Sequence, residues 1–357
     1  MIPDANRFRS DLDGLGLVRA LPGGWTIGGV DESDLPRLTA LLRGHESAGR
    51  GWASAGPDTL RIEIAAPGSG TRQNVAVRDD DGLVVAWGSV HDRAEGRMLF
   101  VHVVGRTLPG AEADLCSAAL FAWAEAQARH VGAARGLAVQ QIDTGAFEDD
   151  ERQQAWLAGA GFRKVRTWWQ MSRPVRSEEA TLVPDTTSWE GEGMRIRHVG
   201  RSADGMPDEA DLRAVHDVLE GAFTDHFNSS EETFEEFCAR LREDPGHRWD
   251  HWWLAELTDG PEPEPCAALV GTELAAAAHG VPGSYVDYIG VLASARGRGV
   301  AKGLLHTIIA DAASRGRDRI GLEVDADSPT GAEGIYVAMG WRTSYVTQSW
   351  HRDVPVA

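Results

Sequence analysis

The run Arg296-Gly297-Arg298-Gly299-Val300-Ala301 holds the residue types and order best suited to chemistry in this sequence. It follows an apolar stretch, Tyr288-Ile289-Gly290-Val291-Leu292, and opens a segment with Leu304, Leu305, Ile308 and Ile309 at helical spacing. Glycines at a strand-to-helix turn let backbone N–H groups point inward with no Cβ in the way. The first-turn N–H groups of the helix and its dipole then form a site for phosphate. A ligand carrying a pyrophosphate is the natural guest. A dinucleotide fingerprint, G-x-G-x-x-G, would need a third glycine where Lys302 stands. A Walker A loop, G-x-x-x-x-G-K-[ST], does not occur in the sequence.

What stands here is R-x-x-G-x-A, which resembles the coenzyme A loop of the GCN5-related N-acetyltransferase (GNAT) family, Q/R-x-x-G-x-G/A. Downstream, LEVDADSPTGAEGIYVAMGW looks like that family's later motif: a strand, a short helix holding a tyrosine, then glycine and an aromatic. The likeness covers residues 194–357. Two departures stand out: Ser328-Pro329 where the family often has asparagine, and Gly340-Trp341 for a common Gly-Phe. The resemblance implies acetyl-CoA as co-substrate and transfer of its acyl group to an amine. It implies that the backbone of Ile289, Gly290 and Val291 pairs with the pantetheine arm like an added strand. The backbone from Arg296 through Gly297, Arg298, Gly299 and Val300 to Ala301 would hold the pyrophosphate, Arg296 and Arg298 adding charge, with Ser328 in the loop near the cofactor. Tyr336 would be the general acid for the leaving thiolate, a task suited to a phenol. Read alone, Tyr336 is also a plausible core aromatic, because Ile335 and Met339 flank it.

An attacking amine must lose a proton, and carboxylates on strands beside a cleft are the usual bases. Asp287, Glu323 and Glu273 are the candidates, with His226 as a further substrate contact. By strand alternation Asp287 shares a face with Ile289. Each carboxylate also reads as a salt-bridge or solvent-facing group, and His226 as a helix-end or surface histidine. Acceptors of the aminoglycoside, polyamine or mycothiol-precursor kind suit an acidic protein. A longer acyl donor, a hydroxyl acceptor, and an acyl-CoA sensor without catalysis remain open alternatives.

The elements around these residues read, from 194 onward, as β-α-α-β-β-β-α-β-α-β. Strands fall at 194–199, 252–257, 266–274, 285–292, 320–324 and 341–350. Helices fall at 208–227, after Ser229 or Ser230 through Leu241, at 299–314 and at 331–339. The first half gives a blurred copy. Helices fall at 34–42, 113–128 and 152–160, and strands at 75–77, 83–90, 97–104, 137–142 and 165–171. The endings AWLAGAGFRKVRTWWQMSR and IYVAMGWRTSYVTQSWHR are alike, as expected of a tandem duplication. The expected fold is α/β with a mixed, mostly antiparallel twisted sheet in each of two GNAT-like domains, each with a splayed central strand pair flanked by helices. The proposed domains are 1–175 and 194–357, with a polar linker at 176–193 that holds paired glutamates, Pro184 and a Thr-Thr-Ser run. The tandem form is similar to mycothiol synthase-like actinobacterial acetyltransferases. In the first half the loop GRTLPGAEADLCSAAL lacks the R-x-x-G-x-G/A pattern, and Trp156 or Leu157 takes the tyrosine's place. That half is therefore expected to lack transferase chemistry.

At 357 residues the chain suits two domains. Its net charge of −19 disfavours nucleic acid and anionic membrane as partners. No apolar run reaches the roughly 18 residues of a membrane span, and residues 1–10 carry no secretory h-region. Cys116, Cys238 and Cys266 are odd in number and widely spaced, which points to a reducing cytoplasm. No C-x-x-C or H-E-x-x-H pair supports a metal.

Overall fold

The computed structural model describes residues 21–65, 72–94, 96–181, 193–201, 206–223, 232–243, 247–274, 276, 280–328, 331 and 333–356. In chain order the strands are β1 (Thr26–Gly28), β2 (Arg72–Arg78), β3 (Val84–Ala94), β4 (Arg97–Val104), β5 (Val139–Phe147), β6 (Arg163–Pro174), β7 (Met194–His198), β8 (His247–Leu257), β9 (Glu264–Leu274), β10 (Gly283–Val291), β11 (Arg319–Asp325) and β12 (Arg342–Pro355). The α-helices are α1 (Leu35–Arg50), α2 (Pro57–Ala65), α3 (Gly110–Ala134), α4 (Glu151–Gly159), α5 (Glu209–Phe223), α6 (Phe234–Glu243), α7 (Val300–Ser314) and α8 (Glu333–Ala338). From β7 onward their order is the one read from the sequence. Two compact units result. One contains the chain up to Trp169, Asp325–Asp327 and Tyr345 onward; the other contains Gln170–Val324 and Ser328–Ser344.

In the second unit the strand order is β11-β10-β9-β8-β7. All neighbours are antiparallel except β10 and β11, which run parallel. The middle strand β9 is buried along 266–272, as a strand covered on both faces must be. On one face Leu212, Val215, Val218 and Leu219 of α5 and Phe237 and Leu241 of α6 pack with Trp252, Leu254, Ala268 and Val270. On the other lies α7, with Leu304, Leu305, Ile308 and Ile309 fully or almost fully buried. Each such side chain contributes about 1.5–3 kcal/mol. Residues 182–192 of the linker lie outside the described residues, and its first part forms a short 3-10 turn, Ser177–Thr181, packed against α7.

The first unit repeats the plan, with strand order β1-β2-β3-β4-β5-β12 and β4 parallel to β5. Helix α3 packs Cys116, Leu120, Trp123 and Ala124 on one face, and α1 and α2 pack Leu38, Leu41 and Leu60 on the other. Here the structure adds β1 and α2, which the sequence reading lacked, and departs from that reading in two further respects. First, α1 runs on to Arg50 although its apolar period fades after Leu42. Gly49 explains the extension: a Cβ there would lie 2.0 Å from the Phe147 ring, so the bare backbone packs on that ring, and Gly51 at φ +83° ends the helix. Second, the last strand, read as part of the second domain, pairs with β5 from Thr347↔Phe147 to Pro355↔Val139. It buries Trp350 and Val354 in the first unit's core. Strand periodicity specifies which face is apolar, not which neighbour a strand chooses.

No helix among the described residues is long and apolar enough to cross a membrane. The thiols of Cys116, Cys238 and Cys266 are free and buried. Among the described residues no group of three or more His, Cys, Asp or Glu is placed to hold a metal ion.

Candidate active site

Strands β10 and β11 pair from Ser284↔Ile320 to Val286↔Leu322, and the pairing stops there. Beyond it the edge of β10 from Tyr288 to Val291 diverges from β11 while keeping β9 on its other side, through Tyr288↔Val270 to Val291↔Ala267. Ile289, Gly290 and Val291 therefore offer backbone groups to an extended ligand arm in the split. Gly290 has a packing reason as well: a Cβ there would meet Ala222 at 2.9 Å and Leu219 at 3.0 Å, so α5 seats directly on the strand.

The split opens onto the glycine loop. A short 3-10 turn, Ala293–Ala295, leads to Arg296, whose Nε donates to the Val291 carbonyl at 3.3 Å. Gly297 and Gly299 take φ of +78° and +80°, the left-handed region that glycine enters without a Cβ penalty. A Cβ at either would meet nothing within 4 Å, so the backbone there faces open space. Gly299 caps α7 with no side chain over the helix end, which leaves the first-turn N–H groups of Val300, Ala301 and Lys302 to a ligand. Arg296 and Lys302 are exposed and Arg298 is half-buried. Left-handed glycines, an uncapped helix end and flanking cations form a cradle that fits a diphosphate.

Tyr336 lies on α8, a helix that buries none of its residues. Ile335 and Val337 on either side are exposed by 42% and 59%. Its half-buried ring meets Trp341 edge-on at 6.1 Å. Its Oη makes no hydrogen bond among the described residues, and burial pushes the phenol above its ordinary value. The group therefore stays protonated through neutral pH, the state a proton donor needs.

The carboxylates separate. Asp287 is the extra residue of a β-bulge, with Val286 opposite Gly271 and Tyr288 opposite Val270. Those partners put Val286 and Ile289 on one face, so simple alternation from Ile289 to Asp287 fails; a bulge re-aims side chains in this way. Glu323 stands exposed on β11 and accepts a hydrogen bond from Gln170 Nε2. Glu273 is engaged by Arg248 Nη2 at 3.1 Å and Arg317 Nη2 at 3.0 Å. Ser328 is half-buried in the segment between β11 and α8. His226 lies outside the described residues, as do Ser229, Ser230 and Pro329. Sequence reasoning missed Gln170, because its partner is 153 positions away.

The first unit resolves which residue replaces the tyrosine. In the second unit Trp341 N bonds Tyr336 O at 3.0 Å, and Gly340 N bonds Val337 O at 3.1 Å. In the first unit Phe162 N bonds Leu157 O at 3.0 Å, and Gly161 N bonds Ala158 O at 3.0 Å. Gly340 and Gly161 are both left-handed, at φ +90° and +83°. Leu157, fully buried, is therefore the counterpart of Tyr336, and the first unit has no phenol there.

Residues 213–341 match the model of the acetyltransferase (GNAT) family. A GCN5-related N-acetyltransferase from Sphaerobacter thermophilus superposes with TM-score 0.68 at 21% identity, covering 94% of this chain and 97% of that one. A tandem GNAT protein from the clavulanic acid biosynthesis pathway gives 0.64 at 12% identity, covering 93% and 99%. Saccharomyces cerevisiae N-myristoyltransferase, solved with bound myristoyl-CoA and inhibitors, gives 0.54 at 12% identity, covering 93% and 80%. At these identities the likeness is one of fold. No curated protein sequence matches the chain.

Proposed function

We propose that the chain, whose residues 213–341 match the GNAT acetyltransferase family model, transfers an acyl group, acetyl first among them, from coenzyme A to a small cationic amine, at one site in the second unit. The observation that carries this reading is the open glycine cradle at the mouth of the β10–β11 split. It joins a diphosphate site to a backbone edge that suits a pantetheine arm.

The thioester supplies an activated acyl group; the rest is the work of this chain's residues. Backbone amides from Gly297 to Ala301 hold the diphosphate, with Arg296 and Arg298 adding positive charge. Ile289, Gly290 and Val291 align the extended arm by strand-type hydrogen bonds. Tyr336 Oη holds the proton that the departing thiolate takes up. Glu323, with Gln170 on its carboxylate, and Asp287 at the bulge receive the ammonium and accept its proton, which fits direct attack with no covalent enzyme intermediate. Glu273 is bound by two arginines, so its part is to hold strands together. The net charge of −19 favours encounter with cationic acceptors.

The test is thiol release from acetyl-CoA across a panel of amines, with the products weighed by mass spectrometry. Release coupled to an acetylated amine is expected. Tight coenzyme A binding with no release for any amine would overturn catalysis in favour of a sensor.

A further inference from the structure

We infer that the first unit takes no coenzyme A, because its own side chains fill the cleft in which such a ligand would lie. The choice of ligand rests on the function proposed above; the closure itself rests on geometry.

In this unit the parallel pairing of β4 with β5 ends at Phe100↔Thr144, as that of β10 with β11 ends at Val286↔Leu322. Past that point the second unit leaves a split. The first unit bridges it from α4. Gln153, 3% exposed, donates through Nε2 to the His102 carbonyl on β4 at 3.4 Å and to the Gly145 carbonyl on β5 at 3.2 Å. One side-chain amide thus spans both strands and uses acceptors that an extended ligand arm would need. Next to it, Arg152 Nη2 donates to the Val104 carbonyl at 3.3 Å, as Arg296 Nε does to Val291 in the second unit, so the Gln153 bridge is what sets the first cleft apart.

The mouth is tied as well. Arg106, in the loop that corresponds to the glycine cradle, donates to both carboxylate oxygens of Asp150, which is 5% exposed. Asp150 also caps α4 by accepting from Gln153 N at 3.2 Å, and His45 Nδ1 lies 4.0 Å from it. The loop after β4 and the loop before α4 are therefore bound to each other. At this mouth Asp150 and Arg106 hold each other in an ion pair, where the second unit offers uncapped amides. Three atoms of the cluster, Gln153 Oε1, Arg106 Nε and Arg152 Nε, are buried without a partner; ordered water is enough to satisfy them. A ligand would have to break the Gln153, Arg152 and Arg106 contacts together before it gained one of its own.

Titration of the full chain with coenzyme A, followed by calorimetry, tests this beside the Gly297→Asp/Gly299→Asp variant. That variant sets carboxylates in the second unit's cradle and leaves the first unit untouched. One equivalent bound by the natural chain and none by the variant is the expected result. Two equivalents, or one equivalent surviving in the variant, would overturn the inference. No binding by the natural chain would overturn the proposed function while agreeing with a closed first cleft. A second variant, Gln153→Ala, tests the closure directly. Amide hydrogen exchange at 101–104 should quicken by about tenfold or more, with exchange in α7 unchanged; unchanged exchange at 101–104 would refute the bridge.

Discussion

Replacing Tyr336 by phenylalanine removes one atom, and the structure fixes what else that atom does. Oη makes no hydrogen bond among the described residues, and the ring's edge-on contact with Trp341 at 6.1 Å survives the change. No cavity opens and no partner is orphaned, so stability should move by less than about 0.5 kcal/mol. Coenzyme A binding should also hold, because the cradle and strand edge are backbone. Turnover should fall by about 10²–10⁴-fold, the usual worth of a positioned general acid. That is about 2.7–5.4 kcal/mol on the barrier at 1.36 kcal/mol per decade. Burial raises this phenol, so the natural enzyme should lose activity from this group only above the ordinary tyrosine range, about pH 10, and Tyr336→Phe should lack that alkaline limb. Its raised value also makes stability fall as pH climbs from about 10, because the unfolded chain gives up the proton first. Steady-state thiol release over a pH series, with calorimetric titration of coenzyme A, reads all of this. Unchanged turnover refutes the acid role. Equal losses of turnover and binding would assign Tyr336 to packing instead.

Gly290→Val drives a branched side chain into Ala222 and Leu219 and should destabilise the second unit by about 1–3 kcal/mol, seen as a lower urea midpoint. Gly299→Ala meets no atom but must hold φ near +80°; it should cost about 1–2 kcal/mol and weaken coenzyme A binding, measured by thermal melt and titration. Trp350→Ala removes a buried ring that β12 places in the first unit and should cost about 3–5 kcal/mol, so that hydrogen exchange quickens in the first unit's β5 before it does in β9. Burial holds His45 down to about 4 and His102 to about 3. Both stay neutral when folded but take up protons when unfolded, so stability should fall as pH drops through about 6.5 towards 4. His45 alone should account for about 3 kcal/mol of this, and a urea midpoint that does not fall between about pH 7 and 4.5 would contradict it.

Most of the second unit was legible because its signals are local. The period of Leu304, Leu305, Ile308 and Ile309 fixes α7 and its buried face, and two glycines fix the turn before it. The first unit's β1 and α2 escaped because three strand residues, or nine helical ones from Pro57, carry too little period to stand out. The bulge at Asp287 escaped for a different reason. It is a property of pairing with β9, so the sequence of β10 alone predicts unbroken alternation. Partner choice was equally hidden: nothing in 342–355 says that its neighbour is β5, and nothing in Gln170 says that it will hold Glu323. The tyrosine was legible as a residue, whereas the shallow seating of its helix α8 was not.

The two units form an internal comparison in which fold is held nearly constant and chemistry is not. Both end a parallel pair early, both follow it with a helix, and both close that helix with the same left-handed glycine turn. What differs is where polar groups go. In the second unit the loop amides have no side chain over them, the helix beside the split is shallow, and its tyrosine hydroxyl bonds to no described residue. In the first, Leu157 sinks into the core, and its helix spends Gln153 on the carbonyls of both strands. Buried polar groups are mostly paired, so a cleft that binds nothing satisfies its edges internally or with water, and a cleft that binds a ligand must leave them open. The fold alone therefore does not decide which unit works. The decision lies with which backbone groups each unit leaves for another molecule, and on that criterion the proposed site falls in the second.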